Sequence, residues 1–219
     1  MLKVVRFTGW TLITGGVLIL LYLVYLLFFT NVTTDRAQQE LLEEWSLEVG
    51  DPGEALPAEP VDEPDTDVEQ QAVDPGSAYA VMWFDRPGSD EPLVHADPLY
   101  VVEGVTLDHL KRGPGHYPDT GPPGTPGNFA ISGHRTTYGA PFYNLDDLQA
   151  GDRVHVVDRD GKEWVYEVTE QRIVAPTDVW VLESDPLGTG QPTMTITTCH
   201  PRFSAAQRLI VFAELVEST

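Results

Sequence analysis

The sequence predicts a mainly β fold, a closed or nearly closed antiparallel barrel preceded by one membrane-spanning helix and an acidic stalk. Seven short stretches rich in strand-forming residues follow residue 77, and Gly/Pro-rich turn signals separate them, which favours a barrel. An uncharged apolar run near the N-terminus predicts the membrane helix. The part of the chain from 77 to 219, roughly 140 residues, is long enough to bury one sizeable core.

The membrane helix is predicted over residues 10–29. No charged residue occurs from Phe7 to Thr34, and about twenty apolar positions span roughly 30 Å as a helix, which matches a bilayer core. A cleaved signal peptide is the alternative, but the run is longer than a usual signal and no Ala-x-Ala site follows it. Residues 1–34 are therefore interpreted as an uncleaved, single-pass anchor that contacts the cell membrane through residues 10–29.

The basic residues predict the orientation of this anchor. Lys3 and Arg6 precede the apolar run, and no basic residue follows it until Arg36. The positive-inside rule then places the N-terminus in the cytoplasm and the remainder of the chain outside the cell.

Residues 35–76 are interpreted as an acidic, Pro-rich stalk. From Asp35 to Asp74 the chain has fourteen acidic residues against one basic residue. Its second half lacks aromatic residues and is expected to remain extended and unfolded. The first half has Leu41, Leu42 and Trp45 at helical spacing, so a short helix is possible, but a solvated spacer is preferred. A chain starting near Gly76 is then expected to fold and to remain active.

Residues 77–219 are interpreted as the functional domain. Its predicted strands are 78–84, 99–105, 128–132, 153–158, 163–174, 193–199 and 208–214, and its predicted helical patches are 106–111 and 142–149.

The charge of the protein limits the classes of partner. The formal net charge is −21, from 13 basic and 34 acidic residues. Binding to nucleic acid is not expected, because phosphate contact needs a basic surface. The single cysteine excludes an intramolecular disulfide, and neither it nor the scattered histidines show the spacing of a zinc site, so no metal or other cofactor is expected.

That single cysteine, Cys199, is the candidate nucleophile. It ends a predicted half-buried strand on which Met194 and Ile196 point to one face and the threonines and Cys199 to the other. The next strand begins near Arg208, across a polar turn. A thiol beside a guanidinium has a charge partner that favours nucleophilic chemistry.

His134 is the preferred candidate for the proton donor. It follows a predicted strand and Gly133, a glycine that we expect to allow a sharp turn. His200 is adjacent to Cys199, so its ring should point to the opposite face of the strand. His155 is expected to be structural. Arg208 is preferred to Arg202 as the group that binds a developing oxyanion, since Arg202 lies in the loop where solvent exposure is the default.

Three separated motifs resemble sortases, and specifically class E sortases of high-GC Gram-positive bacteria. The Thr-Ile-Thr-Thr-Cys segment that ends at Cys199 resembles the signature of sortases in general. The likeness to class E lies in the Gly-His-Arg-Thr-Thr-Tyr-Gly-Ala-Pro-Phe segment 133–142, the segment 198–211 and the Lys-Arg-Gly-Pro-Gly-His-Tyr-Pro segment 111–118. Ile196 stands where the family usually has leucine. Arg208 lies nine residues after Cys199, where the family has its arginine.

The resemblance implies an eight-stranded β-barrel and a cysteine transpeptidase. Such an enzyme cleaves a C-terminal sorting signal of Leu-Ala-x-Thr-Gly or Leu-Pro-x-Thr-Gly type between Thr and Gly, and joins the Thr to an amine of the cell wall or of a pilin. Carried over, Cys199 is the nucleophile, His134 the acid/base group and Arg208 the oxyanion ligand. The implied partners are surface proteins with a sorting signal, and a peptidoglycan precursor or pilin lysine that supplies the amine.

Tyr117, Thr197, Thr198 and Tyr138 are expected to bind the substrate. Tyr117 lies in a Gly/Pro-rich segment that sortases place beside the sorting signal, and its hydroxyl would accept the N–H of an Ala residue that Pro lacks. A packing role for Tyr117 is an equal alternative, in which case Tyr138 takes its place.

Two other functions compete with this interpretation. An L,D-transpeptidase is also an extracytoplasmic cysteine enzyme, but its signature places Gly before the cysteine, where this chain has Thr198. A catalytically inactive, membrane-anchored barrel that binds a wall polymer is the second alternative, and the retained Cys/His/Arg set argues against it.

Overall fold

The computed structural model describes residues 2–25, 30–50, 56–57 and 73–216. Its helices are α1 (Leu2–Val24), α2 (Thr30–Glu48) and α3 (Leu107–Leu110), and two 3-10 turns cover Leu145–Asp147 and Val179–Leu182. The two helical patches predicted for the domain are therefore present, as α3 and as the first 3-10 turn.

Nine strands are described. They are β1 (Leu56–Pro57), β2 (Ala78–Asp85), β3 (Leu99–Glu103), β4 (Gly115–His116), β5 (Asn128–Ser132), β6 (Arg153–Val157), β7 (Lys162–Val174), β8 (Thr193–His200) and β9 (Gln207–Leu215). Strands β2 to β9 pair in the order β7-β6-β2-β3-β4-β5-β8-β9, and β9 pairs with β7 again, which closes an eight-stranded barrel. The two-residue β1 pairs with the start of β7 outside this ring. The expected eight-stranded barrel is confirmed.

All seven predicted strands are present, with bounds that differ by no more than two residues. The eighth barrel strand, β4, was missed because two residues are too short for a periodic pattern. The expectation of an antiparallel barrel is wrong at two pairs, since β3–β4 and β5–β8 are parallel. Parallel neighbours need a crossover connection, and the long segment between β5 and β8, which includes β6 and β7, provides one.

The barrel core is filled by the inward-facing side chains of alternating strand positions. Phe129, Ile131, Met194, Ile196 and Val211 are all buried in this main cluster. Burial of one such side chain contributes about 1.5–3 kcal/mol to folding.

The outer face of β8 is also covered, so the expectation of a half-buried strand is wrong. Every residue from Thr193 to Thr198 is buried. The segment between β7 and β8 packs over this face, where the Asn128 side chain donates to the backbone carbonyls of Val181 and Glu183 at 3.0 Å each. Thr195 Oγ1 donates to Asn128 Oδ1 at 2.8 Å. Threonines tolerate this burial because their hydroxyls find partners.

Helix α2 packs against the barrel, which corrects the expectation of a solvated spacer for this part of the stalk and removes the reason for expecting full activity from a chain that starts near Gly76. Leu41 and Trp45, one helical turn apart, are 0% and 1% exposed and contact a second cluster that includes Val81 and Tyr100. Gln38 Nε2 donates to the carbonyls of Tyr100 and Arg112 at 2.9 and 2.8 Å. The acidic residues of α2 do not prevent docking, because an apolar stripe faces the barrel. Three of the acidic side chains also bond the domain: Glu44 accepts from the Ala78 N–H at 3.0 Å, and Glu40 and Glu48 form ion pairs with Arg112 and Arg159. Residues 51–55 and 58–72 of the stalk lie outside the described residues.

Helix α1 is long and apolar enough to cross a bilayer, and its side chains are largely exposed rather than packed on the barrel. It covers the greater part of the predicted span, of which residues 26–29 lie outside the described residues. An apolar helix near the N-terminus is a candidate membrane anchor.

Candidate active site

Cys199 lies near the C-terminal end of β8, directly opposite Arg208 on β9. Its side chain is partly buried and the thiol is free. Strand alternation places it on the same outer face as Thr195 and Thr197. Directly opposed residues of an antiparallel pair have Cβ atoms about 4.5–5.5 Å apart, so the Cys199 and Arg208 side chains start as neighbours.

The parallel pairing of β5 with β8 brings His134 to the same place. Ser132 pairs with Thr197, and the Gly133 N–H donates to the Thr197 carbonyl at 3.1 Å. When the same register is extended by two positions beyond Ser132, His134 lies opposite Cys199. Because His134 is two residues after Ser132, it also faces outward.

Glycine is needed at position 133 because a larger residue would clash with a neighbouring ring, and not because the chain turns sharply there. This corrects our expectation. A Cβ atom at this position would lie 2.5 Å from the ring of Phe142, which is fully buried in the core. Glycine therefore lets the strand end approach the Phe142 ring, and this close packing fixes where His134 leaves the barrel.

His134 is a half-buried imidazole in a slightly positive environment. Burial, and secondarily the charge of Lys111, lower the pKa of His134 below its ordinary value. Its ring lies 4.9 Å from that of Tyr138, centroid to centroid. Its Nε2 atom is buried and has no hydrogen-bond partner among the described residues. The neutral imidazole is thus favoured at neutral pH.

Replacing Lys111 with glutamine is expected to raise the pKa of His134 toward its ordinary value, because the positive charge that opposes protonation is removed while burial remains. Since the pKa in the folded state lies below that of the unfolded chain, His134 contributes stability above the unfolded-state pKa and loses it as the pH falls through the folded-state value. An NMR titration of the imidazole protons checks this, with Lys111→Arg as the charge-retaining control. An unchanged pKa in the glutamine variant would contradict the electrostatic coupling.

The Arg208 guanidinium lies at the edge of the site, and its Nη1 donates to the carbonyls of Ala205 and Gln207, both at 3.0 Å. No carboxylate in the described ranges forms an ion pair with it. Its positive charge and its remaining N–H donors are therefore available to a substrate oxygen.

The histidines and the arginine that were not preferred for catalysis are bound to other groups. His200 Nδ1 lies 3.0 Å from Nη1 of Arg135; because arginine can only donate, this nitrogen is the acceptor. Arg202 pairs with Asp146 at 2.7 Å and lies over the ring of Tyr143, 4.6 Å from its centroid. His155, expected to be structural, lies 2.6 Å from both Asp85 and Glu163.

Arg135 is a residue of the site that sequence reasoning missed. Its side chain is 1% exposed, and it pairs with Asp146 at 2.8 Å. It also donates to the Cys199 carbonyl at 3.3 Å. These contacts connect the end of β5, the end of β8 and the first 3-10 turn through one guanidinium. Its only sequence signal was its position directly after His134.

Of the four candidate substrate-binding residues, three contact one another or His134, and the fourth, Thr198, is bound to the backbone. Tyr117 and Thr197 lie together, with 3.2 Å between their hydroxyl oxygens, and Tyr138 packs on His134. Thr198 is 2% exposed, and its hydroxyl donates to the Gly133 carbonyl at 2.8 Å. This bond ties β8 to the residue before His134.

Comparisons with known proteins agree with this geometry. Residues 94–216 match the model of the sortase domain. The sortase SrtE1 of Streptomyces coelicolor is 30% identical over 97% of this chain, although the chain spans only 57% of that relative's length. The structure of sortase E from Streptomyces avermitilis is 35% identical over 66% of this chain and 91% of its own, with a TM-score of 0.55.

A further solved structure carries a ligand. Sortase E1 from Streptomyces coelicolor was crystallised with a tripeptide in the active site; it is 31% identical over 67% of this chain and 92% of its own, with a TM-score of 0.55. The sequence motifs, the closed barrel and the matched domain all indicate a sortase and not an L,D-transpeptidase. The chain belongs to the sortase family, among the class E sortases.

Proposed function

We propose that this protein is a membrane-anchored cysteine transpeptidase that cleaves a C-terminal sorting signal between Thr and Gly and transfers the Thr carbonyl to an amine. The observation that supports it most is the strand register, in which Cys199 pairs with Arg208 and the end of β5 that precedes His134 pairs with the end of β8. A nucleophile, a proton donor and a fixed positive charge are the groups that acyl transfer needs.

The reaction proceeds through a thioester. His134, neutral at rest, accepts the proton of the Cys199 thiol as the sulfur attacks the carbonyl carbon of the Thr residue, and Arg208 stabilises the oxyanion of the tetrahedral intermediate. His134, as the imidazolium, protonates the leaving Gly amine as the C–N bond breaks. An incoming amine then attacks the thioester, His134 accepts its proton, and the departing sulfur of Cys199 takes that proton back, which restores the thiol and the neutral imidazole.

The substrate is proposed to be a surface protein that ends in a Leu-Ala-x-Thr-Gly or Leu-Pro-x-Thr-Gly signal. The acceptor is an amine of a peptidoglycan precursor or a pilin lysine. The tripeptide in the active site of the related sortase E1 supports a peptide substrate for this chain. We propose that Tyr117 and Tyr138 contact the signal, and that the buried Thr197 acts through its hydroxyl, which lies 3.2 Å from that of Tyr117. Thr198, whose hydroxyl is bound to the Gly133 carbonyl, is proposed to position the His134 segment.

The location is proposed to be the outer face of the cell membrane. Helix α1 serves as the single-pass anchor, and Lys3 and Arg6 keep the N-terminus in the cytoplasm. Residues 77–219 then form the catalytic domain on the extracellular side.

The proposed function is tested by incubating the full chain, in detergent micelles, with peptides that carry either signal and with a panel of amines. Mass spectrometry should find cleavage between Thr and Gly and a product in which the Thr carbonyl is joined to the amine. The competing function, an inactive barrel that binds a wall polymer, predicts no cleavage and no rapid labelling of Cys199 by a thiol-reactive probe. That pair of results would overturn the transpeptidase assignment.

Tyr117→Phe is expected to move the ratio of kcat/KM for Ala- over Pro-containing signals toward Pro, by about two- to tenfold, the worth of one hydrogen bond. When Tyr117 donates to Thr197 Oγ1, its own oxygen can accept the N–H of the Ala residue, which Pro lacks. Parallel assays of both peptides with Tyr138→Phe provide the matched control. If only Tyr138→Phe changes the ratio, the discriminating hydroxyl is that of Tyr138.

A further inference from the structure

The segment that carries His134 continues into a loop with an unfavourable backbone. Tyr138, Gly139 and Ala140 follow one another with φ of +52°, +73° and +45°. Two of these three residues have side chains, for which the left-handed region is costly. Such a conformation persists only where surrounding contacts hold it. Within this loop, Tyr138 places its ring against that of His134.

Helix α2 supplies contacts that hold this loop from outside the barrel. The Gly139 N–H donates to the side-chain oxygen of Asn31 at 3.0 Å. A Cβ atom on Gly139 would lie 3.0 Å from the Thr34 methyl group, so the loop backbone packs closely on the Thr34 side chain. Thr34 Oγ1 also donates to the Lys111 carbonyl at 2.8 Å, which ties the same turn of α2 to the segment after α3.

Helix α2 is itself fixed on the barrel, and it closely follows the candidate membrane helix α1 in the sequence. Leu41 and Trp45 bury its apolar stripe, and the Gln38 side chain bonds the backbone of Tyr100 in both directions, as donor and acceptor at 2.9 Å each. Only residues 25–29 separate it from α1. The helix therefore presents Asn31 to the loop as a fixed group rather than as part of a flexible tether.

We propose that α2 is a structural part of the active site, in which Asn31 is a positioning residue: by binding the Gly139 N–H it holds Tyr138 against His134. This inference rests on the proposed role of His134 as the acid/base group. Asn31 does not touch the reacting atoms. Its loss lets the strained loop relax, so that His134 spends less time in the orientation needed for proton transfer.

The test uses the full chain in detergent micelles with three variants. Asn31→Ala removes the acceptor, Asn31→Asp retains it, and Gln39→Ala removes a side-chain amide from an exposed position of the same helix. Asn31→Ala should lower kcat about three- to tenfold, as expected for the loss of one hydrogen bond. We expect little change in KM and in the melting temperature. Asn31→Asp should restore kcat to within about twofold, and Gln39→Ala should match the wild type.

Three kinetic results would overturn the inference. They are an unchanged kcat in Asn31→Ala, a loss of kcat that Asn31→Asp does not restore, and an equal loss in Gln39→Ala. Hydrogen exchange at the Gly139 amide provides a reading that does not depend on turnover. It should become faster in Asn31→Ala alone, and an unchanged rate would overturn the inference. If the wild type cleaves no peptide, the proposed function fails, whereas the exchange experiment still decides whether α2 holds the loop.

Discussion

Cys199→Ala is expected to abolish peptide cleavage and amine transfer while leaving the fold intact. The thiol is the one nucleophile that can form the thioester, and alanine fits the partly buried position at the end of β8 without added volume. Turnover by mass spectrometry, together with a melting curve, separates loss of chemistry from loss of structure.

Cys199→Ser is the matched control for this prediction. It retains a hydroxyl of similar size that is far less acidic than the thiol, so activity should remain very low. Cleavage close to the wild-type rate in the alanine variant would show that the nucleophile lies elsewhere.

His134→Ala is expected to lower kcat/KM by about 10²–10⁴, the usual contribution of general acid/base catalysis. The physical reason is the loss of the group that protonates the leaving amine. His134 carries no hydrogen bond to Nε2 that the fold needs. Stability should therefore change little, and at neutral pH the loss should appear in rate rather than in folding.

His200→Ala provides the comparison, because His200 is adjacent to Cys199 in sequence. Its Nδ1 is occupied by Arg135, so its removal should perturb that buried guanidinium and cost stability more than catalysis. A large rate loss in His200→Ala with a small one in His134→Ala would reverse the assignment and would mean that the thiol faces the other side of β8.

Much of the barrel could be predicted because its strands are long enough to show a pattern. Stretches such as Thr193–His200 and Lys162–Val174 have several alternations between turn signals, and local periodicity is a property of one segment alone. The position of Cys199 next to Arg208 could also be predicted, since two strands joined by a short turn pair with each other. The family motifs pointed to the same site.

Other features depended on contacts between segments that are distant in sequence. Strand β4 has two residues and exists because β3 and β5 bind it on both sides. The spacing of Leu41 and Trp45 permitted a helix, but only the apolar surface around Val81 and Tyr100 decides that the helix docks instead of remaining solvated.

The site shows the same division. From the sequence we could predict the residue types of the site, the strand ends on which they lie, and the faces to which alternation directs them. The tertiary structure alone decided that β5 lies parallel to β8, which sets His134 beside Cys199, and that Arg135 is buried against Asp146. The physical reason is that strand pairing and burial are set by the free energy of contacts across the whole fold, which no pattern within one segment contains.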